Sequence, residues 1–250
     1  MIISHKHKYL FVELPRTGSS AISKELCTNY DGVQILYKHA AYNDFLKSAT
    51  AQEKRYFVFS CLRNPLDDAV SLYFKYKTDH RKKFSRMKSG RIITYSSRRR
   101  FNFIQNTNAD FPTYFMKFYK IPYNNWSSLS HKKFDYVIRF ENLQDDFAKV
   151  LRSIGIEQKR PLLSVNKTKG RERDFLSYYT PETIARAKWV FGPFMKEWGY
   201  EFPPEWGDES VPWSSQMAFH SCNIFRSLYW KYLRLPVHRL CYFKPRGPDS

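Results

Sequence analysis

Short apolar runs alternate with segments of helical spacing over the first eighty residues of the chain. Residues 8–14 carry Tyr9, Leu10, Phe11 and Val12 in an unbroken run that stops at Pro15, and helical spacing follows over 19–28. The pattern then predicts a short strand at 33–36, a helix at 41–48, a strand at 55–62 and a helix at 66–77. The run at Phe57-Val58-Phe59-Ser60-Cys61-Leu62 has the β-branched and aromatic content of a parallel strand buried on both faces. Pro65 suits the first position of the next helix, where Leu66, Ala69, Val70 and Tyr73 share a face. Further on, the spacing predicts helices around 109–119 and from Asn142 to before Gly155. It also predicts a strand at 134–140 and a helix from Pro181 to about Trp198 with Ile184, Ala187, Phe191 and Phe194 toward a core. Such alternation predicts an α/β fold: a single domain with a central parallel sheet and helices on both faces.

The strand ends carry the candidate chemistry. Pro15-Arg16-Thr17-Gly18-Ser19-Ser20 leads from the first predicted strand into the first predicted helix. Amides at such a helix start point at a bound anion, the helix dipole favours negative charge there, and hydroxyls add donors. The loop lacks the Gly-Lys-Ser/Thr ending of a Walker A sequence. An ordinary strand-to-helix turn, with Gly18 supplying an unusual dihedral and a serine capping the helix, is the competing reading. The second strand ends at Arg63-Asn64-Pro65 with Ser71 two turns into the helix, so a charged fork and a hydroxyl converge where one phosphate fits.

The two segments together resemble the sulfotransferase family that uses 3′-phosphoadenosine 5′-phosphosulfate (PAPS) as sulfuryl donor, a P-loop-like fold. Leu14-Pro15-Arg16-Thr17-Gly18-Ser19-Ser20 is similar to the family's 5′-phosphosulfate loop, and Arg63-Asn64-Pro65 with Ser71-Leu72-Tyr73 to its 3′-phosphate motif. Lys38-His39-Ala40 resembles a stretch of carbohydrate-type members. Arg139-Phe140-Glu141-Asn142-Leu143 resembles a strand-ending motif, and Asn166-Lys167-Thr168-Lys169 a late loop over the donor nucleotide. The resemblance covers residues 8 to about 203.

It implies a sulfotransferase with PAPS as co-substrate, adenosine 3′,5′-bisphosphate as product and no metal. The implied donor contacts are Pro15, Arg16, Thr17, Gly18, Ser19, Ser20, Arg63, Ser71, Asn166, Lys167, Thr168 and Lys169. Arg16 stands where the family usually has lysine, which keeps the charge on the leaving oxygen but weakens any role as proton donor. His39 is the expected base, because imidazole titrates near neutrality. Glu13, expected to be partly buried with a raised pKa, is the second candidate and Asp44 the third.

Charge sharpens the acceptor question. The formal net charge is +19, from 42 Lys and Arg against 23 Asp and Glu, which suits a polyanionic ligand. Residues 81–100 hold nine Lys or Arg and no acid, and residues 211–248 hold no acid at all. The first stretch reads either as a basic insertion, about 78–108, facing an anionic carbohydrate acceptor, or as a solvated loop. The expected layout is a sulfotransferase domain over 1–206 and a basic, aromatic extension over 207–250 packed on it or lying at a membrane interface. Cys27, Cys61, Cys222 and Cys241 are scattered and are expected to be reduced and mostly buried. No signal peptide is expected ahead of the first strand and no apolar run approaches the roughly 18 residues that span a bilayer, so a cytoplasmic protein is expected, or a Golgi-type lumenal one only where an N-terminal anchor has been removed. Acceptors other than a carbohydrate, namely a small phenol, a lipid hydroxyl or a protein tyrosine, stay open. The alternative from another class is a nucleic-acid-binding protein, which explains the charge but not the two strand-end loops.

Overall fold

The computed structural model describes residues 1–85, 94–125, 129, 131, 133–163, 170, 173–207 and 210–233. The chain divides into two compact units, the first comprising Met1–Leu72 and Asn125–Leu176 and the second Tyr73–Asn124 and Ser177–Ser250.

The first unit is built on a five-stranded sheet of order β3-β1-β2-β4-β5. Its strands are β1 Ile2–Ser4, β2 Tyr9–Val12, β3 Val33–Gln34, β4 Phe57–Leu62 and β5 Tyr136–Arg139. β2, β4 and β5 are parallel, with Phe11 opposite Phe59 and Phe59 opposite Tyr136. The sheet is mixed because β1 pairs antiparallel with β2 and β3. The β1–β2 turn over residues 5–8 holds no Gly, Asn or Pro. It closes with Lys8 at φ 54 and the His7 amide donating to Ser4 Oγ, which is why turn chemistry did not announce it.

Every residue of β2 is buried, and so are five of the six in β4, so both alternating sets of side chains are covered. On one face Tyr9, Phe11, Phe59, Cys61 and Ile138 pack against Ile22 and Leu26 of α1 (Ser19–Asn29) and Phe147, Val150 and Leu151 of α6 (Leu143–Ser153). The other helices of this unit are α2 (Tyr42–Leu46) and the first turns of α3 (Pro65–Lys77). Asn64 Oδ1 accepts from the Leu66 amide at 2.9 Å and its carbonyl from Asp68, so the chain enters α3 through a side-chain cap with Pro65 at the first helical position.

The second unit is helical. α4 (Tyr95–Thr107), α5 (Phe111–Phe118), α7 (Pro181–Trp198) and α8 (Trp213–Leu228) are its main elements, with the end of α3. Aromatic edges meet aromatic faces throughout it: Tyr73 against Phe111, Phe115 against Tyr179, Tyr123 against Phe194. α4 lies inside the stretch expected as a basic insertion. Thr94 caps it by accepting from the Ser97 amide, and Phe101 and Ile104 bury one side. α8 begins at Trp213, directly after Pro212.

Candidate active site

The first loop is shaped by two left-handed residues, Arg16 at φ 67 and Gly18 at φ 80. Gly18 is the N-cap of α1, no side chain caps the helix, and no acid occupies its first turn. The amides of residues 18–20 belong to the group that an α-helix leaves without internal partners, and no acid in the helix's own first turn offsets its positive end. The capping-serine reading of the loop is therefore not the one adopted. Thr17 Oγ1 and Ser19 Oγ instead both donate to the Leu14 carbonyl, at 3.0 and 2.8 Å. Their protons brace the loop from below, and Cys61 Sγ adds a contact from β4 to the Thr17 carbonyl at 2.7 Å.

Ser20 points elsewhere and accepts from Lys38 Nζ at 2.8 Å. Lys38 thus brings a cation to the start of α1, a placement the sequence did not assign to it. Arg16 reaches Asp68 Oδ2 at 3.0 Å in the first turn of α3.

The second strand end is tied to the first through one ring. Arg63 lies 4.4 Å from the Phe140 centroid, pairs with Asp67 Oδ2 at 2.6 Å and donates to Ser71 Oγ at 3.4 Å. The same Phe140 ring abuts Gly18, where an added Cβ would stand 3.1 Å from Cδ2. Glu141, next in sequence, accepts from the Asn64 amide at 2.7 Å. Phe140 and Glu141 follow β5, so the parallel order of β2, β4 and β5 brings three strand ends together. Asp68, Phe140 and Glu141 carried no assigned role in the sequence because their partners follow other strands, whereas Asp67 stands four residues after Arg63, a pairing that spacing alone could have shown.

His39 sits at φ 63 with Nδ1 3.0 Å from the Glu13 carbonyl. A carbonyl only accepts, so Nδ1 carries the proton and the neutral ring keeps its lone pair on Nε2. Burial pushes the His39 pKa below its ordinary value; the hydrogen bond to Glu13 opposes that, and the nearby Lys38 charge adds to it. His131 makes the opposite choice: fully buried, its Nδ1 accepts from the Tyr42 amide at 2.7 Å, as a structural histidine does.

Glu13 corrects an expectation. Its carboxylate is buried, which raises a pKa, but the Met1 ammonium at 2.7 Å and the hydrogen bonds from Met1 and Ser23 outweigh burial and hold it below the ordinary value. A carboxylate held ionised by an ammonium and a hydroxyl donor is a poor base, and Glu13 serves His39 through its backbone. Asp44 is similarly committed, accepting from Tyr37 Oη, the Ala41 amide and Lys47. Cys27 is exposed, against the expectation of mostly buried thiols, whereas Cys61 is buried. Asn166, Lys167, Thr168 and Lys169 lie outside the described residues.

Chemically, the described strand ends offer helix-start amides, three cations and an imidazole of fixed tautomer, a set suited to holding anionic groups beside a proton acceptor. Among the described residues no cluster of His, Cys, Asp or Glu could hold a metal ion. No helix among them is long and apolar enough to cross a membrane. Searches of curated proteins and of solved structures return no match. A family model described as "Sulfotransferase family" matches residues 1–190, which include both strand-end loops, Lys38, His39 and Phe140. The chain belongs to the sulfotransferase family.

Proposed function

We propose that this chain moves a sulfuryl group from PAPS to a hydroxyl of a carbohydrate, by in-line displacement with His39 as base. One observation carries the reading: Arg63 stacks on Phe140 and reaches Ser71, while the same ring lies against Gly18 of the first loop. A donor with a phosphosulfate at one end of its ribose and a lone phosphate on the other side needs two basic strand ends at a fixed separation, and one shared ring supplies that. The first loop also fits the group sterically, since Gly18 leaves bare backbone where any side chain would push into Phe140.

In this reading the amides of residues 17–20, Lys38 and Arg16 hold the phosphosulfate end, and Arg63 with Ser71 holds the 3′-phosphate. Pro15 starts the loop, with Thr17 and Ser19 bracing it. Residues 166–169 are assigned to the nucleotide. Charge develops on the oxygen that bridges to the departing nucleotide, and Arg16 meets it as a fixed charge rather than a proton donor. His39 Nε2 takes the proton of the attacking hydroxyl. Arg16 and Arg63 exchange Asp68 and Asp67 for the donor's anionic oxygens, a like-for-like swap of forked partners.

The carbohydrate acceptor, itself anionic, rests on Lys38-His39-Ala40 and on the acid-free stretch 81–100. The working layout remains 1–206 as the catalytic domain, with 78–108 as its acceptor-selecting insertion. Calorimetry with adenosine 3′,5′-bisphosphate tests the donor site. The native chain is expected to bind it about a hundredfold more tightly than 5′-AMP, and Arg63→Ala to abolish the difference, in line with roughly 2–3 kcal/mol for a charged, forked contact. Absence of binding, with tight salt-sensitive binding of nucleic acid instead, would overturn the reading.

A further inference from the structure

α8 has one committed side. Ser215 and Phe219 are buried, Ser215 Oγ donates to the Trp189 carbonyl, and Arg226 donates to Asn223 Oδ1 at 2.9 Å and to the Pro122 carbonyl. At about 100° per residue, Trp213, Met217, Ile224 and Leu228 fall within roughly 60° of arc on the opposite side, with Phe225 about 60° beyond it. Tyr232, in the helical turn Tyr229–Leu233 that follows, continues the stripe. All six are exposed, Trp213 at 78%, Phe225 at 73% and Ile224 at 63%. Single exposed apolar residues are ordinary, but a stripe of six large ones along a helix of 16 residues and its following turn marks a docking face.

Charge selects the occupant. Arg226 is spent on the packed side, but residues 227–248 contain Lys231, Arg234, Arg239, Lys244 and Arg246 and no Asp or Glu. A second copy would set this basic stretch against itself, and a neutral apolar partner would leave the charge unused. An anionic bilayer uses both, burying the stripe to the depth of the headgroup boundary while its negative surface potential attracts Lys and Arg. Trp213 and Tyr232 near the two ends of the stripe are side chains that favour that boundary.

We propose that α8 is a membrane-docking helix that lays its Trp213, Met217, Ile224, Phe225 and Leu228 face flat on an anionic lipid surface. This docking is peripheral and is independent of how the strand-end loops work.

Sedimentation of the full chain with vesicles tests it. Binding is expected to vesicles of phosphatidylcholine doped with phosphatidylserine, to weaken as salt is raised, and to be much weaker on phosphatidylcholine alone. The double variant Ile224→Ser/Phe225→Ser is expected to bind roughly tenfold or more weakly while keeping its circular dichroism and melting temperature, since it loses two exposed apolar contacts with lipid. Brominated acyl chains should quench tryptophan fluorescence, and much of that quenching should vanish in Trp213→Phe. Failure to bind anionic vesicles, undiminished binding of the double variant, quenching unchanged in Trp213→Phe, or a native dimer that the double variant dissolves would each overturn the proposal.

Discussion

Two arginines, Arg63 and Arg100, lie over aromatic rings in different units and are neutralised in opposite ways. In the first unit Arg63 stacks on Phe140 but is paired with Asp67, and Arg16 with Asp68. In the helical unit Arg100 lies over the rings of Tyr114, Phe118 and Tyr119 and donates to Tyr114 Oη at 2.8 Å; among the described residues no carboxylate pairs with it. A carboxylate and a phosphate present the same forked acceptor, so a cation held by Asp67 has a ready alternative partner. A cation held by ring faces and a phenol inside a helical unit has none, and its charge is part of the packing. Net charge therefore does not locate an anion site. The partners of each cation do, and Arg100, which belongs to the basic stretch 81–100, is withdrawn from any acceptor.

The comparison breaks if the two arginines respond alike. The largest effect is expected from His39→Ala, which should lower kcat by about 10²–10⁴ in a sulfuryl-transfer assay and leave adenosine 3′,5′-bisphosphate binding intact. Because burial lowers the His39 pKa, its neutral form persists to lower pH than an ordinary histidine's. The acid limb of the native rate profile should accordingly lie below the usual histidine range, with no fall across neutrality. Next, Arg100→Ala should lower stability by about 3 kcal/mol, from a lost desolvated cation–ring contact and an unpaired Tyr114 hydroxyl, with nucleotide affinity unchanged. Arg63→Ala should remove nucleotide affinity as well as its pair with Asp67, so matching thermal melts with calorimetry shows whether affinity falls in this variant alone.

Gly18→Ala sharpens the same contrast at the shared ring. A left-handed φ of 80 and a Cβ 3.1 Å from Phe140 should cost about 1–2 kcal/mol in chemical denaturation and weaken both phosphate contacts together. The smallest effect is expected from Asp67→Asn, which removes a competing negative charge. Nucleotide affinity should rise by a few fold in calorimetry as roughly 1 kcal/mol of repulsion is relieved.

Much of the fold was legible because its signals are local. β2 ends at Val12, two residues short of the predicted run to Pro15, β4 ends at Leu62 just before Arg63-Asn64-Pro65, and the helices that follow start within a residue or two of where spacing puts them. β1 was missed because its turn relies on a left-handed Lys8 rather than on turn residues. α4 was missed because Arg98, Arg99 and Arg100 mask the Phe101 and Ile104 face, although Thr94 and Ser97 stood at capping spacing. At the site, the cations and His39 were visible as residue types in motifs. Asp67 stands at i,i+4 from Arg63 and was legible in principle, but the Arg16–Asp68 pair and Phe140 between the loops depend on which strands are neighbours, which no spacing along the chain encodes. The lowered Glu13 pKa depends likewise on Met1, which β1 delivers.

Cys61 holds a further consequence. Its thiol is fully buried under the first loop, bonded to the Thr17 carbonyl, and burial pushes its pKa far above that of a free thiol. An alkylating reagent reaches it only after β4 and the loop part, so the modification rate of the Cys61 peptide, followed by mass spectrometry, is a clock for loop opening. Cys27, exposed on α1, labels in the same tube as the fast reference. A nucleotide that stiffens the loop would slow the clock while leaving the reference untouched, which turns an inert sulfur into a ligand assay that requires no turnover.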